Sequence, residues 1–245
     1  MMVITILTLF PRIFDSPLNE SIIKRAKEKG LVTFNIKNIR DFAKDPHKTC
    51  DDTPYGGGPG MVMKIEPLYN AIEHVKKDIG DGHFILLSPQ GRLLNWEVCE
   101  RLAKLSHICL ICGRYEGIDE RILEFVDEEI SIGDYILSGG EIAALVVIDT
   151  IVRLLPGALG NENSKSQETF REFLLEYPQY TRPENFLGFK VPQVLLSGNH
   201  EQIRRWRRKE SIRKTILRRP DLISRFCPNE EDSRFIREIM EEIQD

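Results

Sequence analysis

Ser131-Ile132-Gly133-Asp134-Tyr135-Ile136-Leu137-Ser138-Gly139-Gly140-Glu141 separates a short apolar run from a long one. Gly133, Gly139 and Gly140 are free to take positive φ and let the backbone come close to a ligand. The stretch reads as a loop that wraps a bound small molecule, with exposed amides to hydrogen-bond an adenine or an amino-acid group. Its plainer reading is a turn between a strand and a helix, because glycine clusters are ordinary punctuation.

Working upstream, the same pattern recurs. Glu129 to Ile132 reads as a strand that runs into this loop. Ile108 to Cys112 reads as another, running into Gly113-Arg114-Tyr115-Glu116-Gly117 and then a short helix from Ile118 to Val126. Phe84 to Leu87 reads as a third, running into Ser88-Pro89-Gln90-Gly91. A helix follows, with Asn95 as N-cap and Val98, Leu102 and Leu105 on its inner face. Three strand–loop–helix units in succession predict an α/β fold with a mainly parallel sheet. Ligands in such sheets collect at the carboxyl ends of the strands, so the three loops are predicted to lie together.

Further upstream, Val3 to Phe10 reads as a buried strand and Leu18 to Lys29 as a helix that Gly30 ends in the left-handed conformation. Leu31 to Ile39 alternates as a second strand. Pro67 sits where a helix start tolerates proline, and Leu68, Ala71, Ile72, Val75 and Ile79 keep helical spacing. Between them lies Asp51-Asp52-Thr53-Pro54-Tyr55-Gly56-Gly57-Gly58-Pro59-Gly60-Met61. It lacks the Gly-Lys-[Ser/Thr] ending of a phosphate loop and the Gly-x-Gly-x-x-Gly of a dinucleotide turn. Nucleoside triphosphates and NAD are thereby poor ligands. What remains is a flexible surface loop, or a side-chain-poor lip over which a large substrate lies.

Downstream, Ile142 to Leu155 reads as a helix that is apolar nearly all round. It should be buried, or packed against a second subunit. Pro156-Gly157 ends it, and Arg153 in its last turn complements the negative end of the helix dipole. From Gly160 to Lys165 the composition changes to that of a linker, with Glu168 just beyond. A small second domain begins at Phe170, with Phe173, Leu174, Phe186, Val194, Leu195 and Leu196 as core candidates. Asn199 is placed to cap a helix, with Gln202 as its capping-box partner. That helix carries Arg204, Arg205, Arg207, Arg208 and Lys209, then Arg213, Lys214, Arg218 and Arg219, with Trp206 among them. Glu201 and Glu210 are too few to neutralise it from within, so a phosphate backbone is its natural counterpart, with Trp206 as anchor or stacking surface. The acidic amphipathic tail, Glu230 to Asp245, is expected to pack on this domain.

Bulk properties agree. The 245 residues allow one or two domains, and 41% hydrophobic with 29% charged residues describes a soluble chain. The net charge of −4 hides the basic segment. No basic region with a cleavage site precedes the opening strand, so no secretory signal is expected. Ile142 to Leu155 is too short for a bilayer and is interrupted by Asp149 and Arg153. Cys50, Cys99, Cys109, Cys112 and Cys227 form no disulfide framework, which suits a reducing, cytoplasmic setting. Cys109 and Cys112 lie in a strand-like run with no second pair at zinc spacing, so they read as buried small hydrophobes.

Six stretches, in order, resemble the bacterial tRNA (guanine-N1)-methyltransferases, the TrmD family. They are Pro54 to Met61, Leu87 to Gly91, Cys112 to Gly117, Ser131 to Glu141, Tyr180-Thr181-Arg182-Pro183, and Leu196-Ser197-Gly198-Asn199-His200 followed by Trp206-Arg207. The resemblance runs nearly end to end. It implies the SPOUT class, an α/β sheet with a deep trefoil knot, which periodicity alone does not reveal. It implies a homodimer with each active site built from both subunits, and a guanine 3′ of the tRNA anticodon as substrate.

It further implies a bent S-adenosylmethionine in the three loops. The first loop would hold it with Leu87, Ser88 and Pro89, and the second with Gly113, Tyr115, Glu116 and Gly117. The third would use Ile132, Gly133, Asp134, Tyr135, Ile136, Leu137, Gly139 and Gly140. The tRNA is expected on Gly58 and Pro59 of the lip, on Arg182 and His200, and on Arg204, Arg205, Arg207 and Arg208. Magnesium dependence is implied without a protein cage for the metal. Glu168 takes the place of the family's general base and Arg153 that of an assisting arginine. The family residue at Glu168's place is usually Asp, so this chain departs by one methylene. The expected layout is a cofactor domain over 1–159, a linker over 160–169 and a basic helical tRNA-binding domain over 170–245. The rival from another class is a non-enzymatic nucleic-acid-binding regulator that senses a small nucleotide.

Overall fold

The computed structural model describes residues 1–80, 82–159, 170 and 172–244. The chain divides into two compact units, Met1–Gly160 and Asn161–Asp245. In the first unit, the order is β1 Met2–Thr8, α1 Ser21–Glu28, β2 Val32–Asn38, the short β3 Asp51–Asp52 and β4 Val62–Met63, and α2 Ile65–Ile79. Then come β5 His83–Leu93, α3 Trp96–Leu102, β6 His107–Cys112, β7 Glu128–Ser131 and α4 Gly140–Leu154. Five strands form one sheet in the order β2-β1-β6-β5-β7, and each neighbouring pair is parallel. The mainly parallel α/β sheet is therefore as the alternation predicted. β3 and β4 pair separately and antiparallel.

The strands are apolar on both faces because both are covered, the usual condition of a parallel sheet. Ile4, Ile6, Ile85, Leu87, Ile108 and Leu110 face one layer, with Ile23 of α1, Val98 and Leu102 of α3, and Val147, Ile148 and Ile151 of α4. Leu7, Phe84, Leu86, Cys109 and Ile111 face the other, with Leu68, Ala71, Ile72 and Val75 of α2. Each side chain of this size, fully buried, contributes roughly 1.5–3 kcal/mol. Burial also pushes the thiols of Cys109 and Cys112 well above their usual range, as suits packing groups. On α4 the inner face is buried, but Ile142 and Val146 are exposed.

Local signals set several boundaries. Gly30 stands at φ +69° just past α1, and Asn95 accepts a hydrogen bond from the amide of Val98 at 3.0 Å. The helix expected from Leu18 is broken: Pro17–Asn19 is a separate 3₁₀ turn, and Glu20 is extended before α1. The helix expected from Ile118 is a 3₁₀ helix over Glu120–Phe125.

In the second unit, β8 Asn185–Phe186 and β9 Phe189–Lys190 form a hairpin. Then come α5 Gln193–Leu196, α6 His200–Arg218, α7 Pro220–Ile223 and α8 Glu230–Gln244. Its core is Leu174, Ile212, Phe226, Phe235 and Ile239. Phe173 packs against that core as expected. Phe186, at 63% exposure, and Leu196, at 43%, do not belong to it. They sit on a two-residue ladder and at the end of a one-turn helix, elements too short to bury a face.

Candidate active site

The three predicted loops, one within β5 and the others after β6 and β7, converge around a cleft of about 540 Å³. That size suits a ligand of several hundred daltons. The first loop is not a simple strand end. Leu87 and Arg92 both stand opposite Ile130 of β7, so Ser88–Gly91 leave the ladder as a four-residue excursion within a longer strand. Ser88 Oγ accepts from the amide of Gln90 at 3.1 Å and tightens the turn. Gly91 lies on the β7 backbone: a Cβ there would stand 2.5 Å from Ile130 N.

The second loop is tied to the Gly-rich lip. The amide of Glu116 donates to Met61 O at 3.0 Å, and the amide of Met63 donates to Gly117 O at 2.9 Å. Gly60 abuts the Glu116 side chain. The lip that carries Gly58 and Pro59 therefore borders the cleft. Tyr115 holds φ +63°. Its phenol is pushed above the usual range, first by burial and then by the charge of Asp51.

In the third loop, Ser131 Oγ bonds the backbone of Gly133, and the Tyr135 hydroxyl donates to Ile132 O at 3.2 Å. The loop ends where the amide of Gly140 donates to Gly113 O at 2.8 Å, which joins it to the second.

Leu87, Ser88 and Pro89 line the cleft, as do Gly113, Tyr115, Glu116 and Gly117. From the third loop Ile132, Gly133, Tyr135, Ile136, Leu137, Gly139 and Gly140 line it, whereas Asp134 does not. Sequence reasoning left out Val62, Arg114, Glu129 and Ser138, which also line it. Arg114 was legible as part of its motif; Val62 and Glu129 reach the cleft only through strand pairing. The walls offer apolar side chains for a flat ring, backbone amides and carbonyls for a polar edge, and carboxylates at Glu116 and Glu129 for a cation. Such a lining fits S-adenosylmethionine. Among the described residues no three His, Cys, Asp or Glu side chains gather as a metal ligand set. The implied magnesium dependence therefore finds no protein donor set there.

Arg153 lies half-buried in the last turn of α4. Glu168 and the linker 160–169 lie outside the described residues.

In the second unit, the basic stripe of α6 is largely neutralised, contrary to the reading of the isolated segment. Arg204 pairs with Glu201 at 2.7 Å and Glu231 at 3.0 Å, and Arg205 pairs with Glu231 at 3.2 Å. Arg208 pairs with Asp232 at 2.8 Å and Glu172 at 2.7 Å. Lys209 and Arg213 share Glu242. Most of these partners come from α8, more than twenty residues away, so local composition could not reveal them. Arg204 and Arg205 remain about half exposed on their outer side. Arg208 is committed to the fold. Arg207 lies over the Tyr177 ring at 4.8 Å. Arg182 and His200 are exposed. The Asn199 cap forms, accepting from the amide of Gln202 at 3.1 Å. Trp206 packs beside Tyr180, with ring centroids 6.3 Å apart. No helix of the described residues is long and apolar enough to cross a membrane.

The family model for tRNA (Guanine-1)-methyltransferase TrmD matches residues 2–225. A tRNA (guanine-N(1)-)-methyltransferase of Dictyoglomus turgidum is 53% identical over 100% of this chain and 99% of its own length. One of Syntrophomonas wolfei is 56% identical over 98% of this chain and 97% of its own. The crystal structure of the tRNA (m1G37) methyltransferase from Aquifex aeolicus superposes with a TM-score of 0.75 at 43% identity. That match covers 91% of this chain and 95% of that one. The family model spans most of the chain and the relatives match nearly all of it, so the chain belongs to the tRNA (guanine-1)-methyltransferase TrmD family.

Proposed function

We propose that this chain methylates N1 of the guanine 3′ of the anticodon in tRNA, in the cytoplasm, with S-adenosylmethionine bound in the three-loop cleft. The observation that carries the reading is the convergence of three separate loops on one cleft, in a chain of this family. When bound there, S-adenosylmethionine supplies a methyl group made electrophilic by its sulfonium. The chain's own residues do the rest.

Guanine N1 carries a proton at neutral pH and is a poor nucleophile until it loses it. Glu168 takes that proton as general base, a role typically worth about 10²–10⁴-fold. Arg153 stabilises the negative charge that grows on guanine O6, by the logic of an oxyanion hole. The loops fix the cofactor and the lip borders the incoming RNA, which adds a proximity contribution. A base in a single-stranded loop is cheaper to unstack than one in a duplex. The second unit supplies the tRNA surface, with Arg182, His200 and the outward sides of Arg204 and Arg205 as contacts. Arg207 belongs to the same surface.

A second copy of the chain completes each active site in this reading. The exposed Ile142 and Val146 on α4 are the apolar contacts such a dimer would cover. The trefoil knot of the class is consistent with the tight passage of Gly140 against Gly113.

The test is mass spectrometry of nucleosides from tRNA incubated with the protein and S-adenosylmethionine. 1-Methylguanosine is the expected product. A methylated ribose or a different base would assign another substrate, and unmethylated tRNA would return the regulator as the working reading.

A further inference from the structure

Glu141, the second residue of α4, is 1% exposed. A carboxylate near a helix N-terminus is favoured by the helix dipole, but at the surface it needs no other help. Here it is buried behind the cleft, where a charge requires a partner. Thr8 Oγ1, at the end of β1, donates to Glu141 Oε1 at 2.7 Å. The same hydroxyl accepts from the amide of Phe10 at 2.9 Å. The counter-charge is Arg114 of the second loop. Its Nε stands 2.9 Å from Glu141 Oε2, a charge contact without hydrogen-bond alignment.

Arg114 does more than neutralise. Its Nη1 donates to Ser138 O in the third loop at 3.0 Å. Its Cζ lies 4.4 Å over the Phe10 ring. Gly139 leaves room for the guanidinium, since a Cβ there would stand 2.2 Å from Arg114 Nε. One side chain thus joins the end of β1, the second loop, the third loop and the start of α4. Its Nε and Nη1 are directed at protein groups, so these contacts act on a ligand through the loop backbone.

We infer that Arg114 and Glu141 are positioning residues that set the spacing between the second and third loops, and through it the affinity for the methyl donor. The inference rests on the reading of the cleft as the donor site. Removing the guanidinium strips Ser138 O of its donor and leaves Glu141 buried without a counter-charge. The two loops then lose the side chain that ties them, and the Gly140–Gly113 hydrogen bond remains between them. The general base and the arginine proposed for the chemistry are untouched, so methyl transfer at saturating donor should proceed.

The experiment measures S-adenosylhomocysteine affinity by calorimetry, and steady-state methylation of tRNA, for the intact chain and four variants. They are Arg114→Gln, Glu141→Gln and the double variant, with Arg114→Lys as a fourth that tests rescue. Arg114→Gln should raise the donor Kd and KM by about tenfold or more, the factor expected for a lost charge-assisted hydrogen bond. The KM for tRNA and the kcat should stay within about threefold. The double variant should bind the donor better than the two single effects multiplied, because no unpaired charge remains. Arg114→Lys should recover part of the affinity, as it restores the charge but not the fork that reaches Ser138.

Should Arg114→Gln fail to fold, Glu141→Gln and the double variant still give the coupling. Single effects that multiply without coupling would overturn the inference. So would a uniform loss in kcat and both KM values in step with melting temperature, which would mark a merely structural pair. An intact chain that does not bind S-adenosylhomocysteine would overturn the donor site as well. Unchanged affinity in the variants of a chain that does bind would remove only the role of the pair.

Discussion

The amide of Gly140 donates to the carbonyl of Gly113 at 2.8 Å. The first residue of α4 therefore runs directly against the end of β6, and two loops of the cleft share one hydrogen bond. A Cβ on Gly140 would stand 2.8 Å from Cys112 Cα and 3.0 Å from Gly113 N. Both are backbone atoms, one in the last residue of the buried strand β6 and one just past it, and cannot turn aside. Gly140→Ala should cost about 1–3 kcal/mol, the usual range for overpacking, and should weaken donor binding. Thermal unfolding and calorimetry read the two effects. An alanine variant with both values intact would mean that α4 can shift its start freely.

Glu168 and Arg153 are assigned to the proton and to the charge it leaves behind. Glu168→Gln removes the proposed base and keeps the shape, so single-turnover methylation should fall by about 10²–10⁴-fold with little change in donor affinity. Arg153→Ala should lower the same rate by about 10²-fold or more. The Asp variant of Glu168 shortens the side chain by one methylene to the usual family residue, and should keep much of the rate. Methylation at the original rate in Glu168→Gln would assign the proton to another group.

Much of the first unit was legible because its signals are local. Asn95 and Asn199 cap the helices they were expected to cap, and Gly30 takes the left-handed turn. The three loops fall together because a parallel sheet places the ends of β5, β6 and β7 on one edge. What was not legible depends on partners distant in sequence. Ser88–Gly91 form an excursion only because Leu87 and Arg92 both pair with Ile130, a matter of register across strands. The α6 arginines looked unneutralised because Glu231, Asp232 and Glu242 enter from α8. Phe186 looked like core by residue type, yet the short hairpin that bears it buries no face. Nothing in the local sequence sets Glu141 apart, and only its burial beside Arg114 distinguishes it.

His107 offers a test by pH. It is buried at the start of β6, its Nε2 lies 3.0 Å from Thr5 Oγ1, and its Nδ1 has no partner among the described residues. Burial holds the imidazole below its ordinary pKa, so the folded chain keeps it neutral. The unfolded chain takes up a proton near pH 6.5. Its contribution to stability is therefore complete above that value and is lost as pH falls below it. The melting temperature should drop as pH falls below about 6.5, and His107→Gln should flatten that drop. An equal drop in the variant would place the pH dependence elsewhere.

Arg208 separates fold from RNA contact on α6. Its Nε and Nη2 grip Asp232 at 2.8 and 2.9 Å, and Asp232 is 1% exposed. Asp232 also accepts from the amide of Asn229 at 3.2 Å, while Asn229 Oδ1 accepts from the amide of Asp232 at 2.9 Å. This reciprocal pair opens α8. Arg208→Ala leaves a buried carboxylate without its counter-charge, and should destabilise the second unit by about 3–5 kcal/mol. Asp232→Asn should cost less, because Arg208 remains partly exposed and can reach water. At a temperature where the fold survives, Arg208→Ala should leave the salt dependence of tRNA binding unchanged, since no phosphate contact is lost. Arg182→Ala, at an exposed position, should instead lower the slope of log K against log salt by about 0.7–0.9. Filter binding across a salt series distinguishes the two, and a reduced slope in Arg208→Ala would place that arginine on the RNA after all.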